Sequence, residues 1–145
     1  MSLFSSLAVS ASGMAAQKAR AEVLVENLAN AETTRTPEGG PYRRKDVIFS
    51  SDPNVGSFGT ALESAIGTGV SGVKVSGITV DQRDPEKRYM PGHPDADSDG
   101  YVAFPRVNPA EDKVDLMGAS RGYQANVSAI SAVKDMIQRS LDILK

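Results

Sequence analysis

The placement of proline and glycine divides this chain into three parts before any other property is considered. All eight prolines fall between Pro37 and Pro109, and ten of the thirteen glycines lie in the same interval. Proline removes a backbone donor and clashes inside helices, and glycine weakens them. Long helices are therefore permitted only at the two ends, where Gly13, Gly118 and Gly122 are the sole interruptions. The expected fold class is α+β: long N- and C-terminal helices packed as a coiled-coil-like pair, with a small, mostly antiparallel β domain between them. The expected organisation is an N-terminal helix over 1–34, a central β-rich domain over 35–109 and a C-terminal helix over 110–145. The two helical segments together make one discontinuous domain.

The two ends differ in the strength of their apolar pattern. At the N-terminus a 3,4 spacing runs through Leu3, Leu7, Ser10, Met14, Gln17, Ala21, Leu24, Leu28 and Ala31, a weak heptad seam diluted by Ala and Ser. At the C-terminus Leu116, Tyr123, Ile130, Ile137 and Leu144 recur every seven residues, with Val127, Val133 and Leu141 between them. A sustained seven-residue recurrence is a coiled-coil period. Arg121, Lys134, Asp135, Arg139 and Asp142 lie off the central row, which suits a solvated flank. The helices can pair parallel or antiparallel within one chain, but one seam buries little against the entropy of ordering both ends. Such ends call for more neighbours, so the same faces are expected to join helices of other chains.

In the middle, 42–49, 73–80, 87–90 and 101–107 are the strand candidates, and 60–66 is a candidate for a turn or two of helix. Val73 and Val75 alternate, then the apolar phase slips to Ile78 and Val80. A β-bulge at Gly77 explains the slip. Three motif-like strings carry no chemistry of their own. Gly67 to Gly72 has the spacing of a dinucleotide loop, but it leads into a strand instead of following one and opening a helix. Asp95-Ala-Asp-Ser-Asp-Gly100 begins like a calcium loop, yet the completing glutamate position is Arg106, preceded by Pro105. A turn whose Asp side chains cap backbone donors is the favoured reading, and a calcium-responsive binding module is the rival. His93, alone in Pro91-Gly-His-Pro94, reads as a surface or packing residue.

Composition excludes several functions. With no cysteine and one histidine, disulfide frameworks, thiolate zinc sites and cysteine nucleophiles are out. No nucleophile elbow or spaced carboxylate pair is present, so catalysis, metal and cofactor binding are not expected. Sixteen basic against eighteen acidic residues give a formal charge of −2, which disfavours nucleic acid as a partner. Met1 to Gln17 holds five serines and lacks the build of a cleavable signal or a membrane span. Asn27 and Asn30 stand where the first helix should end, and a left-handed helix end is one reading of them.

Four ordered segments carry a resemblance. Ser10-Ala-Ser-Gly-Met14 with Ala16-Gln17 and Asn27-Leu-Ala-Asn30 resembles the N-terminal helix motif of the flagellar rod, hook and related axial proteins. Met117-Gly-Ala-Ser-Arg-Gly-Tyr-Gln-Ala-Asn126-Val127 resembles their C-terminal motif. Thr36-Pro-Glu-Gly-Gly-Pro-Tyr-Arg-Arg44 and Tyr89-Met-Pro-Gly-His-Pro-Asp-Ala-Asp-Ser-Asp-Gly-Tyr-Val102 are similar to segments of the proximal rod members of that family.

The resemblance implies a structural subunit of the bacterial flagellar basal body, polymerised into the proximal rod, the drive shaft that transmits motor torque. It implies passage through the flagellar type III export apparatus without a cleaved signal, into a periplasmic rod, with terminal helices in the tube's inner layer. Implied partners are other copies of the chain, the rod proteins FlgB, FlgF and FlgG, and the adaptor FliE, with no small-molecule substrate. Another axial paralogue is the nearest alternative. The assembly surface is expected to involve Leu3, Leu7, Met14, Leu24, Asn27, Leu28 and Asn30 of the first helix. From the last it takes Leu116, Ser120, Arg121, Tyr123, Asn126, Val127, Ile130, Ile137, Leu141 and Leu144. By carry-over of the motifs, Asn27, Asn30, Ser120, Arg121, Tyr123 and Asn126 are candidates for hydrogen bonds between subunits, since a polar group buried there must be paired.

Overall fold

A computed structural model of the 145-residue chain describes residues 3–52 and 71–143. The helix candidate at 60–66, most of the glycine loop at 67–72 and Leu144 lie outside the described residues. The elements run α1 (Leu3–Ala29), β1 (Lys45–Asp52), β2 (Gly72–Val80), β3 (Glu86–Tyr89), β4 (Tyr101–Phe104) and α2 (Pro109–Ile143). This is the α+β arrangement of terminal helices around short antiparallel strands.

α2 begins one residue earlier than the proline-free segment. Asn108 is its cap, its Oδ1 accepting from the Ala110 amide at 3.1 Å while its carbonyl accepts from Asp112 at 3.0 Å. Pro109 then occupies the first helical position, where a missing N–H costs nothing and φ is already helical. α1 ends differently from expectation. Among the described residues no non-glycine residue has a positive φ, so Asn30 does not cap by a left-handed backbone. Its amide instead donates back to the Glu26 carbonyl at 3.0 Å, and its Oδ1 accepts from Thr33 Oγ1 at 3.2 Å. Those side-chain bonds satisfy a carbonyl of the last turn and redirect the chain.

The middle forms two separate two-stranded antiparallel sheets, β1–β2 and β3–β4. Pairing runs from Lys45 opposite Val80 to Ile48 opposite Gly77, then resumes with Phe49 opposite Val75. Ser76 is the extra residue, and the bulge puts Val73, Val75, Ile78 and Val80 on one face with Val47 and Phe49. β1 starts at Lys45, not Tyr42, because Tyr42 and Arg44 turn their side chains towards the helices, onto Asn27 and Asp112. β4 stops at Phe104 because Pro105 has no N–H to continue the ladder. Between β3 and β4, Asp97 Oδ1 accepts from the Asp99 and Tyr101 amides at 3.0 and 2.8 Å. Gly100 takes φ +81°, and a Cβ there would lie 2.9 Å from the Tyr89 ring.

The helices pack antiparallel: Gly13 lies against Asn126, Gln17 against Gly122, and Arg20 faces Asp115 at 3.6 Å. The hairpin β1–β2 lies along α1, with the Val73 amide donating to Ser12 Oγ at 3.1 Å. Core residues are Ala16, Val23 and Leu24 of α1, Ala119 and Val133 of α2, and Tyr42, Val102 and Phe104 between them. Among the described residues no helix is long and apolar enough to cross a membrane.

Candidate assembly surface and its polar joint

The two resembling end motifs meet in space. Asn126, from the C-terminal motif, packs on Gly13 of the N-terminal one, where a Cβ would come within 3.0 Å of its Oδ1. Four residues along α1, Gln17 covers Gly122, where a Cβ would stand 3.2 Å from its Cδ. These glycines let the helices approach closely at the cost of helix propensity. Gly13→Val therefore lowers stability by about 1–3 kcal/mol through overpacking. Gly118→Ala, with open space around it, raises stability by about 0.5–1 kcal/mol. Urea unfolding of both variants checks the pair, and equal effects would mean that Gly13 is not a contact point.

The row of α2 that faces α1 is not the seven-residue row of large apolar residues. Asp112, Ala119 and Val133 are buried, and Asn126 continues their period. Leu116, Ile130 and Ile137 are half-buried, Tyr123, Val127 and Leu141 are exposed, and all belong to the flank of that contact. α1 behaves in the same way. Ser5, Ala16, Val23, Leu24 and Asn27 are buried, whereas Leu3 is exposed and Leu7, Met14 and Leu28 are half-buried. Of the α1 residues expected at the assembly surface only Leu24 and Asn27 are fully covered. Near Gly13 and Gly122 small residues hold the inner face because the close approach leaves no room for leucine, and the larger buried residues Leu24 and Val133 stand further along the pair.

At about 100° per residue, the leucine row of α1 projects to one side of its contact with α2 and the hairpin to the other. Antiparallel pairing reverses the sense of rotation, so the apolar row of α2 falls on the same side as the leucines. One long face of the helix pair, away from the hairpin, thus carries both half-covered rows. Ser120 beside it and Arg121 on the opposite side of α2 are exposed, and neither donates nor accepts a side-chain bond among the described residues. Asn126 donates to the Gly122 carbonyl at 2.9 Å.

Where helices and strands join, the chemistry is polar and buried. Asn27 is 0% exposed. Its Nδ2 donates to the Lys45 carbonyl at 2.8 Å, and its Oδ1 accepts from Tyr42 Oη at 2.9 Å and from the Lys45 amide at 3.0 Å. Both acceptor sites and one donor of Asn27, expected to bond across a subunit boundary, are thus spent inside the chain. Arg44 donates to Asp112 Oδ1 at 2.8 Å, fastening β1 to the first turn of α2, and Lys45 pairs with Glu26. Sequence reasoning missed Tyr42, Arg44 and Asp112. The available signal was an acid at 112, in period with Ala119, Asn126 and Val133.

Burial, then the nearby carboxylates of Glu26 and Asp112, push the Tyr42 phenol up to about 12. A phenol that holds its proton more tightly in the folded chain stabilises it fully below the ordinary value of 10.0. That contribution disappears as pH rises from there through about 12. Wild-type chain should therefore lose more stability to urea between about pH 9 and pH 11.5 than Tyr42→Phe does. Equal losses would place the alkaline sensitivity elsewhere.

Two of the three carboxylates of the 95–100 turn are aimed at the chain's own donors: Asp95 accepts from Thr34 Oγ1 at 2.8 Å, and Asp97 caps amides. Nothing in this geometry favours the calcium module. Residues 98–143 match the family model described as flagellar basal body rod FlgEFG protein C-terminal. Over full length the chain is 44% identical to the flagellar basal-body rod protein FlgC of Bacillus subtilis, covering all of both chains. It is 40% identical to that of Borreliella burgdorferi, covering all of this chain and 99% of the other. It is 38% identical to that of Salmonella typhimurium, covering 99% and 98%. Full-length identity at this level, together with end motifs that pack on one another, means that the chain belongs to the FlgC family of flagellar basal-body rod proteins.

Proposed function

We propose that the chain is a structural subunit of the proximal rod, polymerising through its terminal helices into part of the shaft that carries motor torque. The observation that carries this reading is the helix-pair face bearing Leu3, Leu7, Met14 and Leu28 beside Leu116, Tyr123, Val127, Ile130, Ile137 and Leu141. These rows keep coiled-coil spacing yet are only half-covered within the chain, so helices of neighbouring subunits complete their burial. Segments 1–34 and 110–145 act as one helical unit facing the inside of the tube, and 35–109 stands outside it. Asn30, Ser120, Arg121 and Tyr123 supply hydrogen bonds to neighbours.

The partners are other copies, the rod proteins FlgB, FlgF and FlgG, and the adaptor FliE, reached in the periplasm through the type III export apparatus without a cleaved signal. Catalysis has no part in this reading, and no cofactor is involved. The test is complementation in cells lacking their own subunit. Swimming returns, and the chain is found at its full mass in purified basal bodies. Export without incorporation would refute the reading.

A further inference from the structure

Beside the polar joint lies an open cleft of about 90 Å³ walled by Gly39 to Arg44 with Asp81, Arg83, Pro85 and Arg106. Three guanidiniums converge there in addition to Arg44. Arg83 is neutralised by Asp81, with Nε at 2.9 Å from both carboxylate oxygens. Arg43 and Arg106 are not neutralised. Each is pinned by a neutral carbonyl, Arg43 Nη1 on Asp81 O at 3.2 Å and Arg106 Nε on Asp84 O at 2.7 Å. Neither forms an ion pair among the described residues. Two fixed positive charges with most of their N–H donors unspent are preorganised for carboxylates, because the rotamer cost of binding is already met.

The same chain carries a matching acidic tip. The turn between β3 and β4 exposes Asp97, Ser98 and Asp99 and is held rigid by Gly100 N on Asp97 O at 3.0 Å and Asp97 N on Tyr101 O at 2.8 Å. The Asp99 carboxylate accepts no hydrogen bond among the described residues, and neither Asp97 nor Asp99 lines the cleft.

We infer that the arginine cleft of one copy receives the Asp97–Asp99 turn of the next copy. A contact between two different patches of identical chains is heterologous, and repeating it generates an open helical array instead of a closed dimer. That is the geometry a rod requires, and the inference rests on the rod reading above. Opposite charge on the two patches selects the partner and the register.

The test uses the full chain in cells lacking the native subunit. Arg43→Glu and Asp99→Lys, each placing like charges in contact, should each cut incorporation into basal bodies, and the double exchange should restore it. Because the chain contains no cysteine, Arg43→Cys with Asp99→Cys should also yield disulfide-linked multimers in assembled rods, and neither single variant should. Loss with Arg43→Glu that Asp99→Lys does not repair would assign the cleft to a free anion or another protein's carboxylate, overturning the second-copy contact. Normal swimming with both single variants and no cross-link overturns it while leaving the rod reading intact. A wild-type chain absent from basal bodies overturns both.

Discussion

Ile137→Asp abolishes incorporation into the rod while leaving the strands folded. Ile137 lies in the row from Leu116 to Leu141 and is half-buried in the single chain, near the end of α2 that faces the start of α1. In the lone subunit an aspartate there turns to water. Once neighbouring helices cover that face, its charge must be desolvated at a cost of several kcal/mol. Lys134, one turn earlier, offers a partner, but such helix-surface pairs contribute only about 0.2–0.5 kcal/mol. Gln138→Asp, displaced by about 100° onto an exposed face, is the control and should be milder. The measurements are swimming and basal-body content in cells lacking the native subunit, with circular dichroism of the purified protein. Normal motility with Ile137→Asp would remove Ile137 from the assembly face. A lost β signal would show that helices and strands unfold as one unit.

The periodicity that makes Ile137 informative was legible because it is a property of one helix. Proline placement bounded α2 within two residues and the end of α1 only within five, and the phase slip in β2 located the bulge at Ser76-Gly77. What the pattern could not show is which row meets which partner. Two rows share the seven-residue period on α2: large residues at 116, 123, 130 and 137, and Asp112, Ala119, Asn126 and Val133. Hydrophobicity selects the first, but the chain buries the second against α1, since the glycines at 13 and 122 admit only a close contact. The division into two sheets was hidden for a related reason, as strand pairing depends on connections that local pattern does not encode. The polar joint was least legible. Asn27 looks like a helix-end residue until Tyr42 and Lys45, fifteen and eighteen positions on, fold back onto it.

That fold-back gives the largest expected effect on stability. Asn27→Leu keeps the volume of the side chain but strands the buried Tyr42 hydroxyl and the part-buried amide and carbonyl of Lys45. Each orphaned buried group costs about 1–3 kcal/mol, and because the two Lys45 groups are only part-buried the three together cost about 3–6 kcal/mol. Against a total stability of about 5–15 kcal/mol, this lowers the melting temperature by roughly 10–20 °C for a chain of this size. Tyr42→Phe alone removes one of the three bonds and should cost about 1 kcal/mol. Adding it to Asn27→Leu should cost less than that, because the hydroxyl has already lost its partner and the two changes share a network. A melting temperature within about 3 °C of wild type for Asn27→Leu, or strict additivity in the double variant, would mean that water reaches the joint and that Asn27 is free to serve a neighbour. Because Asn27 ties the last turns of α1 to the first residue of β1, its loss also frees the hairpin from the helix pair. Rod incorporation of Asn27→Leu should therefore fall steeply with growth temperature, whereas the Ile137→Asp defect should persist at every temperature.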